Sequence, residues 1–324
     1  MGFPFSLFYS YHINMKAIRV IKTGPAPELR LEEVPKPVTP QTGVLIRVRY
    51  AGINPVDWKT MESSSFGITA PYIPGWDCAG VVEEVGPSCR SFEPGDEVYG
   101  LVGFPKSPGT FAEYYPAEAD HIAPKPKSLD FREAAGVPLT ALTAYQSLFS
   151  DLRIEKGQTI LLHGASGGVG NFAVQLAKYT GCRVYGTASP GHFEELESIG
   201  LDTPIDRTAP GFPDTIPRNT FDFILDSRGD EVRDRAYEYL TPGGSIITLR
   251  GGDIPEKEYA EAGIRYRRIL VRPDGATLAQ IGELFERGIL KVSVKEVFPL
   301  AETETALELS KSGRINGKIV LDCR

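Results

Sequence analysis

Cysteine is scarce in this chain of 324 residues: four occur, Cys78, Cys89, Cys182 and Cys323. No two form a CxxC pair, so the spacing of a structural zinc lobe is missing, and the thiols read as reduced, buried side chains of a cytoplasmic protein. No apolar run approaches the ~20 residues of a membrane-spanning helix. Basic blocks are also lacking. The 35 Lys and Arg are outnumbered by 42 Asp and Glu, for a net charge of −7. That mild, dispersed acidity argues against a nucleic-acid or acidic-membrane partner. The aromatic-rich start, Met1 to Asn14, has neither a basic n-region nor a small-residue cleavage site, so a signal peptide is not expected. Residues 1–14 read as a disordered extension or a start-codon artefact, with Met15-Lys16-Ala17 opening the folded chain. Internal repeats and low-complexity tracts are absent, as are Ser-His-Asp and paired-carboxylate arrangements.

What is present is length and 41% apolar residues, enough for two domains. From Met15 to about Lys127 short β-type runs (Ala17–Ile21, Val44–Tyr50, Gly80–Val85, Glu97–Tyr99) alternate with Pro/Gly turns, the texture of a small antiparallel barrel. After Pro124-Lys125-Pro126 apolar runs alternate with helical patterns, which predicts βαβ units and a parallel sheet. Candidate strands are Thr159–His163, Arg183–Ala188, Phe221–Leu225, Ser245–Leu249 and Ile269–Val271. Val292 to Arg324 returns to β-type runs such as Lys318–Leu321 and is expected to rejoin the first domain.

The strongest local signal is His163-Gly164-Ala165-Ser166-Gly167-Gly168-Val169-Gly170. It follows an apolar strand and opens a helix with an apolar stripe at Val169, Ala173, Leu176 and Ala177, stopped by Gly181. Glycines there let the backbone approach a pyrophosphate whose charge the helix N-terminus binds. Ala165 stands where the G-x-G-x-x-G form has its first glycine. The alternative is an ordinary tight turn. An NAD site usually carries an acid at the end of the second strand. Here that strand ends Thr187-Ala188-Ser189-Pro190-Gly191-His192, with no acid before Glu194. Thr187 and Ser189 can donate to a 2′-phosphate and His192 can add positive charge, so NADP(H) is favoured over NAD. The alternative is a plain strand-to-helix turn with a Ser cap.

Several further motifs stand in order along the chain. They are Asn54-Pro55-Val56-Asp57-Trp58-Lys59, Ile73-Pro74-Gly75-Trp76-Asp77-Cys78-Ala79-Gly80, Pro94-Gly95-Asp96-Glu97-Val98-Tyr99-Gly100, Gly136-Val137-Pro138-Leu139-Thr140 and Gly317-Lys318-Ile319-Val320-Leu321. With the glycine loop they resemble the medium-chain dehydrogenase/reductases, in the zinc-free quinone-oxidoreductase and alkenal-reductase branch, from Met15 to Arg324. The resemblance implies an α/β fold. A GroES-like β-barrel catalytic domain (15–130 and 286–324) would hold an inserted Rossmann domain with a doubly wound parallel sheet (131–285). It also implies a homodimer, with a run near Tyr266–Val271 available for strand pairing.

In zinc-dependent relatives the metal is held by one Cys, a His-Glu pair and a further Cys. The corresponding positions here read Asn54, Trp76-Asp77 and Leu139, and only Asp77 is a plausible ligand, so no metal is expected. Without zinc to polarise a simple ketone, the acceptor must supply its own electrophilicity, as a quinone or enone does. The expected reaction is hydride transfer from NADPH to such a carbon. The alternatives are an enoyl-thioester reductase of fatty-acid or polyketide synthesis, and a non-catalytic NADPH-binding sensor or structural protein.

Each candidate site residue has a plain structural alternative. Asn54 can donate to substrate or to the nicotinamide ribose, or cap a turn before Pro55. Asp57 can order the site, or cap a helix starting near Trp58. Lys59 can donate to a developing oxyanion, or be a solvated helix lysine. Trp76 can fill the space of the missing metal and shape a flat pocket, or be ordinary core. Tyr72 can be a cleft donor or a surface tyrosine. Thr143 and Tyr145, Leu249-Arg250-Gly251-Gly252, and Arg272 in Val271-Arg272-Pro273 resemble segments beside the nicotinamide. Their alternatives are core packing, a β-to-helix loop and a solvated arginine.

Overall fold

The computed structural model describes residues 13–315 and 317–324. Fifteen strands follow in chain order: β1 Asn14–Lys22, β2 Glu28–Pro35, β3 Gly43–Ile53, β4 Asp77–Val85, β5 Glu97–Leu101, β6 Tyr114–Glu118, β7 Ile122–Pro124, β8 Thr159–His163, β9 Arg183–Ala188, β10 Thr203–Asp206, β11 Phe221–Asp226, β12 Leu240–Thr248, β13 Arg265–Arg268, β14 Val294–Pro299 and β15 Lys318–Asp322. They form two main sheets. The first is ordered β14-β15-β3-β4-β5-β7, with β6 on β3. Its pairings are antiparallel except β14 with β15. Beside it lies the β1–β2 ladder, tied in through Ala17–Ala112 and Val20–Tyr72 bridges. The C-terminal strand β15 inserts next to β3, matching Ile319 with Ile53. The first and last described strands therefore belong to one lobe.

The second sheet is six-stranded and parallel, ordered β10-β9-β8-β11-β12-β13. The order reverses direction beside β8, the switch point where doubly wound sheets bind ligands. The helix Gly168–Thr180 leaves β8 there, buries Phe172, Ala173, Leu176 and Ala177, and ends on Gly181 at φ +91. The two lobes share one apolar core, which runs from Trp76, Tyr99 and Leu101 to Leu142, Ile160, Phe172 and Leu284. The seam is tight. The Tyr99 hydroxyl donates to the Leu278 carbonyl at 2.8 Å, and a Cβ on Gly275 would lie 2.2 Å from the Ile122 carbonyl.

The alternating pattern places the strands well, with two corrections. The run Ile269–Val271 is not a strand; the sheet ends instead on β13, whose sequence is Arg-Tyr-Arg-Arg and whose residues are mostly exposed. An edge strand needs no apolar run, and charge on it discourages further pairing. The N-terminal extension is shorter than expected, because Asn14 already pairs with Pro35 in β1 and the Ile13 carbonyl accepts from Lys36. The rest of that expectation, residues 1–12, lies outside the described residues. No helix among the described residues is long and apolar enough to cross a membrane.

Candidate active site

The loop between β8 and the helix Gly168–Thr180 is shaped by its small residues. Gly164 has φ +89, where only glycine is at ease, and a Cβ there would press on Ser227 and Arg228. Gly170 must lack a side chain because a Cβ would lie 2.3 Å from the Gly164 carbonyl. Ala165 is fully buried, and the Ala165 Cβ lies only 2.7 Å from where a Cβ on Gly186 would be. The methyl thus fits only because β9 carries a glycine. Gly167, the N-cap, is exposed, and only the Gly164 carbonyl, at 3.4 Å, lies near its missing Cβ. Ser166, Gly168 and Val169 are half-buried. The free N–H groups of this helix start thus face an open approach, which fits a pyrophosphate.

Thr187 does not take the expected place. It is fully buried, and its hydroxyl accepts from the Gly164 N–H at 3.0 Å while pairing with His163 Nδ1 at 2.7 Å. His163 Nε2 pairs with Asp230 at 2.7 Å, an interaction that holds the Asp230 carboxyl well below the usual range. Thr187 therefore braces the glycine loop from beneath instead of reaching a 2′-phosphate. Ser189 and His192 are half-buried on the short turn that follows β9. Arg207, which the sequence reading passed over, follows β10, the strand paired with β9. Asp206 pairs with Ala188, and the Arg207 N–H donates to the Ala188 carbonyl at 3.0 Å, leaving an exposed arginine at the end of β10. No linear motif announces it, because the cation belongs to the third strand of the unit.

The other cofactor-side candidates are spread along the seam. The Thr143 hydroxyl donates to the Leu139 carbonyl of its own helix, Pro138–Tyr145, at 2.6 Å. Tyr145 packs on Phe149 and bonds Gln280. Arg250 is half-buried, with Nε donating to the Ser227 carbonyl at 3.2 Å, and the Gly251 carbonyl accepts from Arg233 at 3.0 Å. Arg272 is exposed, but its backbone is clamped by the Gln146 carboxamide, which accepts from the Arg272 N–H and donates to the Arg272 carbonyl. Gln146 is thus a seam residue that apolar patterning could not have singled out.

Where β3 ends and β15 begins, the structure gathers a buried polar cluster. Asn54 is the N-cap of the helix Pro55–Ser63, which starts three residues before the expected Trp58. The Asn54 backbone N–H donates to Asp57 Oδ2 at 2.7 Å. Its carboxamide takes its hydrogen bonds elsewhere. Nδ2 donates to Asp77 Oδ2 at 2.8 Å, and Oδ1 accepts from Lys318 Nζ at 2.5 Å. Lys318 also donates to the Ile53 carbonyl at 3.1 Å, and the Leu139 N–H donates to Asp77 Oδ1 at 2.9 Å. Asn54 is fully buried, and its Oδ1 and one of the two Nδ2 hydrogens are held within the cluster. Burial raises the Asp57 carboxyl to about 8 and the Asp77 carboxyl to about 6, and lowers Lys318. At neutral pH Asp57 then keeps its proton, and a single carboxylate, Asp77, is left ionised in the cluster.

Around this cluster, Trp76 is almost wholly buried and meets the edges of Phe104 and Phe66 at centroid distances of 5.3 and 6.5 Å. It is packed as core, and Phe66, 41% exposed, is the outermost of the three rings. Tyr72 is not a surface tyrosine, since its hydroxyl is buried and has no partner among the described residues. Lys59 is half-buried, with its ammonium 5.2 Å from the centre of the Trp58 ring.

A barrel closed by the C-terminal strand, an inserted doubly wound sheet and a glycine loop opening at the seam define the class of two-domain nicotinamide-dependent dehydrogenase/reductases. An alcohol dehydrogenase GroES-like domain matches residues 40–127, and a zinc-binding dehydrogenase family matches residues 199–321. Similarity extends over 321 residues, at 35% identity, to a 2-methylene-furan-3-one reductase of Solanum lycopersicum, covering 95% of this chain and 79% of that protein. An NADPH-dependent alkenal/one oxidoreductase, chloroplastic, of Arabidopsis thaliana is 33% identical over 320 residues, with the same 95% and 79% coverage. The fold superposes on the quinone oxidoreductase from Coxiella burnetii with a TM-score of 0.89 at 31% identity, over 96% of this chain and 100% of that one. The chain belongs to the medium-chain dehydrogenase/reductase family.

Zinc does not fit the residues found at this family's metal position. A catalytic zinc needs about three protein ligands and an open site. Here Asn54 Oδ1 faces an ammonium, and both Asp77 oxygens already accept N–H donors. Among the described residues no group of three or more His, Cys, Asp and Glu is placed to hold a metal ion.

Proposed function

We propose that the protein is an NADPH-dependent reductase that transfers hydride to a quinone or an α,β-unsaturated carbonyl without a metal. The observation that carries this reading is the Lys318–Asn54–Asp77 cluster at the position where zinc-dependent members bind their ion. With a carbonyl-polarising ion displaced by a hydrogen-bonded amide network, the acceptor must be electrophilic by conjugation. NADPH, when bound, supplies the hydride. The chain's part is to bind and orient it: Gly167, Gly168 and the helix start for the pyrophosphate; Arg207, with Ser189 and His192, for the 2′-phosphate; and the stretch around Arg250 and Gly251, with Arg272, along the seam. An arginine matches a phosphate dianion better than the neutral hydroxyls of NAD.

On the acceptor side, Lys59 donates to the oxygen that gains charge, and Phe66 forms the wall against a planar acceptor. The names of the tomato and Arabidopsis relatives support an enone acceptor, and that of the Coxiella structure supports a quinone. Cytoplasmic placement and a homodimer joined through β13 belong to the same reading. Steady-state oxidation of NADPH with a simple quinone, an aliphatic enone, an enoyl-thioester and an unconjugated ketone tests it. Turnover of the first two and not of the ketone is expected. Exclusive use of the thioester, or tight NADPH binding with no turnover, would overturn it.

A further inference from the structure

In the reading above the lysine of the C-terminal strand only helps to exclude a metal, yet its surroundings are built for it. The Lys318 stem runs between two glycines: a Cβ on Gly136 would stand 3.2 Å from Lys318 Cβ, and one on Gly168 would stand 3.7 Å from Lys318 Cδ. The ammonium then ends on the last residue of β3 and on the N-cap of the next helix, Ile53 O and Asn54 Oδ1. An N-cap asparagine ordinarily turns its side-chain oxygen to the helix's own N–H groups. Here that oxygen, still placed over the N3 backbone in a capping box with Asp57, takes its hydrogen bond from Lys318, and the Asp57 N–H donates to the Asn54 backbone carbonyl at 3.0 Å. Lys318 can only donate and the ionised Asp77 can only accept, so the amide between them has a single permitted orientation.

We propose that Lys318 is a positioning residue: by gripping the start of the helix Pro55–Ser63 it sets where Lys59, one turn further along that helix, presents its ammonium to the acceptor. The assignment rests on the reading of Lys59 as the acceptor-side donor. A buried lysine carries a large desolvation cost, and a lysine that only filled space between Gly136 and Gly168 would be better replaced by an apolar chain of the same length. What the ammonium adds is a fixed, directional hold on Ile53 and Asn54, which lie 265 and 264 residues away in the chain.

The test is a double-mutant cycle on the full-length protein with NADPH and a simple enone. Lys318→Met keeps the length and removes the charge. It is expected to lower kcat by tenfold or more while leaving the NADPH Kd within about threefold. Lys59→Met is expected to lower kcat by a similar factor, and the double variant to be no slower than Lys59→Met alone, because a positioning residue has nothing left to place. Losses that multiply in the double variant, or an unchanged kcat in Lys318→Met, would overturn the assignment. An unchanged kcat in Lys59→Met overturns the acceptor-side reading, a separate result visible in that variant alone. If Lys318→Met does not fold, Lys318→Met/Asp77→Asn removes both charges and leaves no uncompensated carboxylate. The same comparison in the Lys59→Met background then decides.

Discussion

Replacing Asp57 by asparagine should change how the protein's stability depends on pH, and in a direction opposite to that of most carboxyls. Asp57 is buried against Asn54, with Asp77 and Lys318 near it, and Tyr72 within range of its charge. Its carboxyl is raised from 3.8 to about 8, first by desolvation, with the Asp77 charge adding and the Asn54 N–H and Lys318 opposing. The native state therefore keeps a proton that the unfolded chain releases above pH ~4. Stability linked to that proton is fully present below the unfolded value and is lost as pH rises through the folded one, at about 1 kcal/mol or slightly more per pH unit. Asparagine keeps an oxygen for the Asn54 N–H and does not titrate. Urea denaturation of both proteins at pH 5, 6, 7 and 8 isolates the effect, because the remaining groups, Asp77 among them, are present in each. The wild type is expected to lose ground to Asp57→Asn steadily with rising pH, by about 3 kcal/mol across that range. A difference that stays flat from pH 5 to 7, or one that moves in favour of the wild type, would mean that Asp57 is ionised in the native state.

Other consequences can be checked directly. Gly170→Ala places a methyl 2.3 Å from the Gly164 carbonyl, so the helix start must shift; NADPH affinity, read by fluorescence titration, is expected to fall at least tenfold. Thr187→Val removes the hydroxyl shared by His163 and the Gly164 N–H, and should cost about 1–3 kcal/mol in denaturant melts and weaken NADPH and NADH alike. Arg207→Glu should weaken NADPH by tenfold or more and leave NADH nearly unchanged; equal effects on both would remove Arg207 from the 2′-phosphate. Trp76→Ala empties a fully buried site under Phe66 and Phe104 and is expected to cost about 3–5 kcal/mol; a smaller loss with selective change in acceptor KM would show that the indole reaches the substrate.

The nucleotide half of this protein was legible because its signals are local. Strand, glycine turn and amphipathic helix occupy consecutive residues, and β8 and β9 fall where the apolar runs put them, at Thr159–His163 and Arg183–Ala188. The same local reasoning misjudged Thr187, since burial of a threonine depends on what lies above it, and here that is His163. It pointed to the neighbourhood of β13, an arginine-bearing edge strand, but marked the apolar run that directly follows it, Ile269–Val271, as the strand. Lys318 was visible as part of a β-type run and of the closing Gly317-Lys318-Ile319-Val320-Leu321 motif but without a role, because a lysine's role cannot be read until its partners are known, and those partners lie at the other end of the chain.

By itself the sequence determined that the chain holds two lobes, that one of them carries a dinucleotide loop, and that the residues at the family's metal position are poor ligands. The first two follow from periodicity and from glycines that only a tight approach requires, and the third from the resemblance of the ordered motifs to the family together with side-chain chemistry, all independent of long-range contacts. The tertiary structure alone decided that Asn54 turns inward to Lys318 and Asp77, that Trp76 is buried while Phe66 lies exposed at its edge, and that Arg207 follows the strand paired with β9. Each of these depends on which strands become neighbours. A buried charge in particular acquires its meaning only from the groups that closure of the sheet brings within hydrogen-bonding distance.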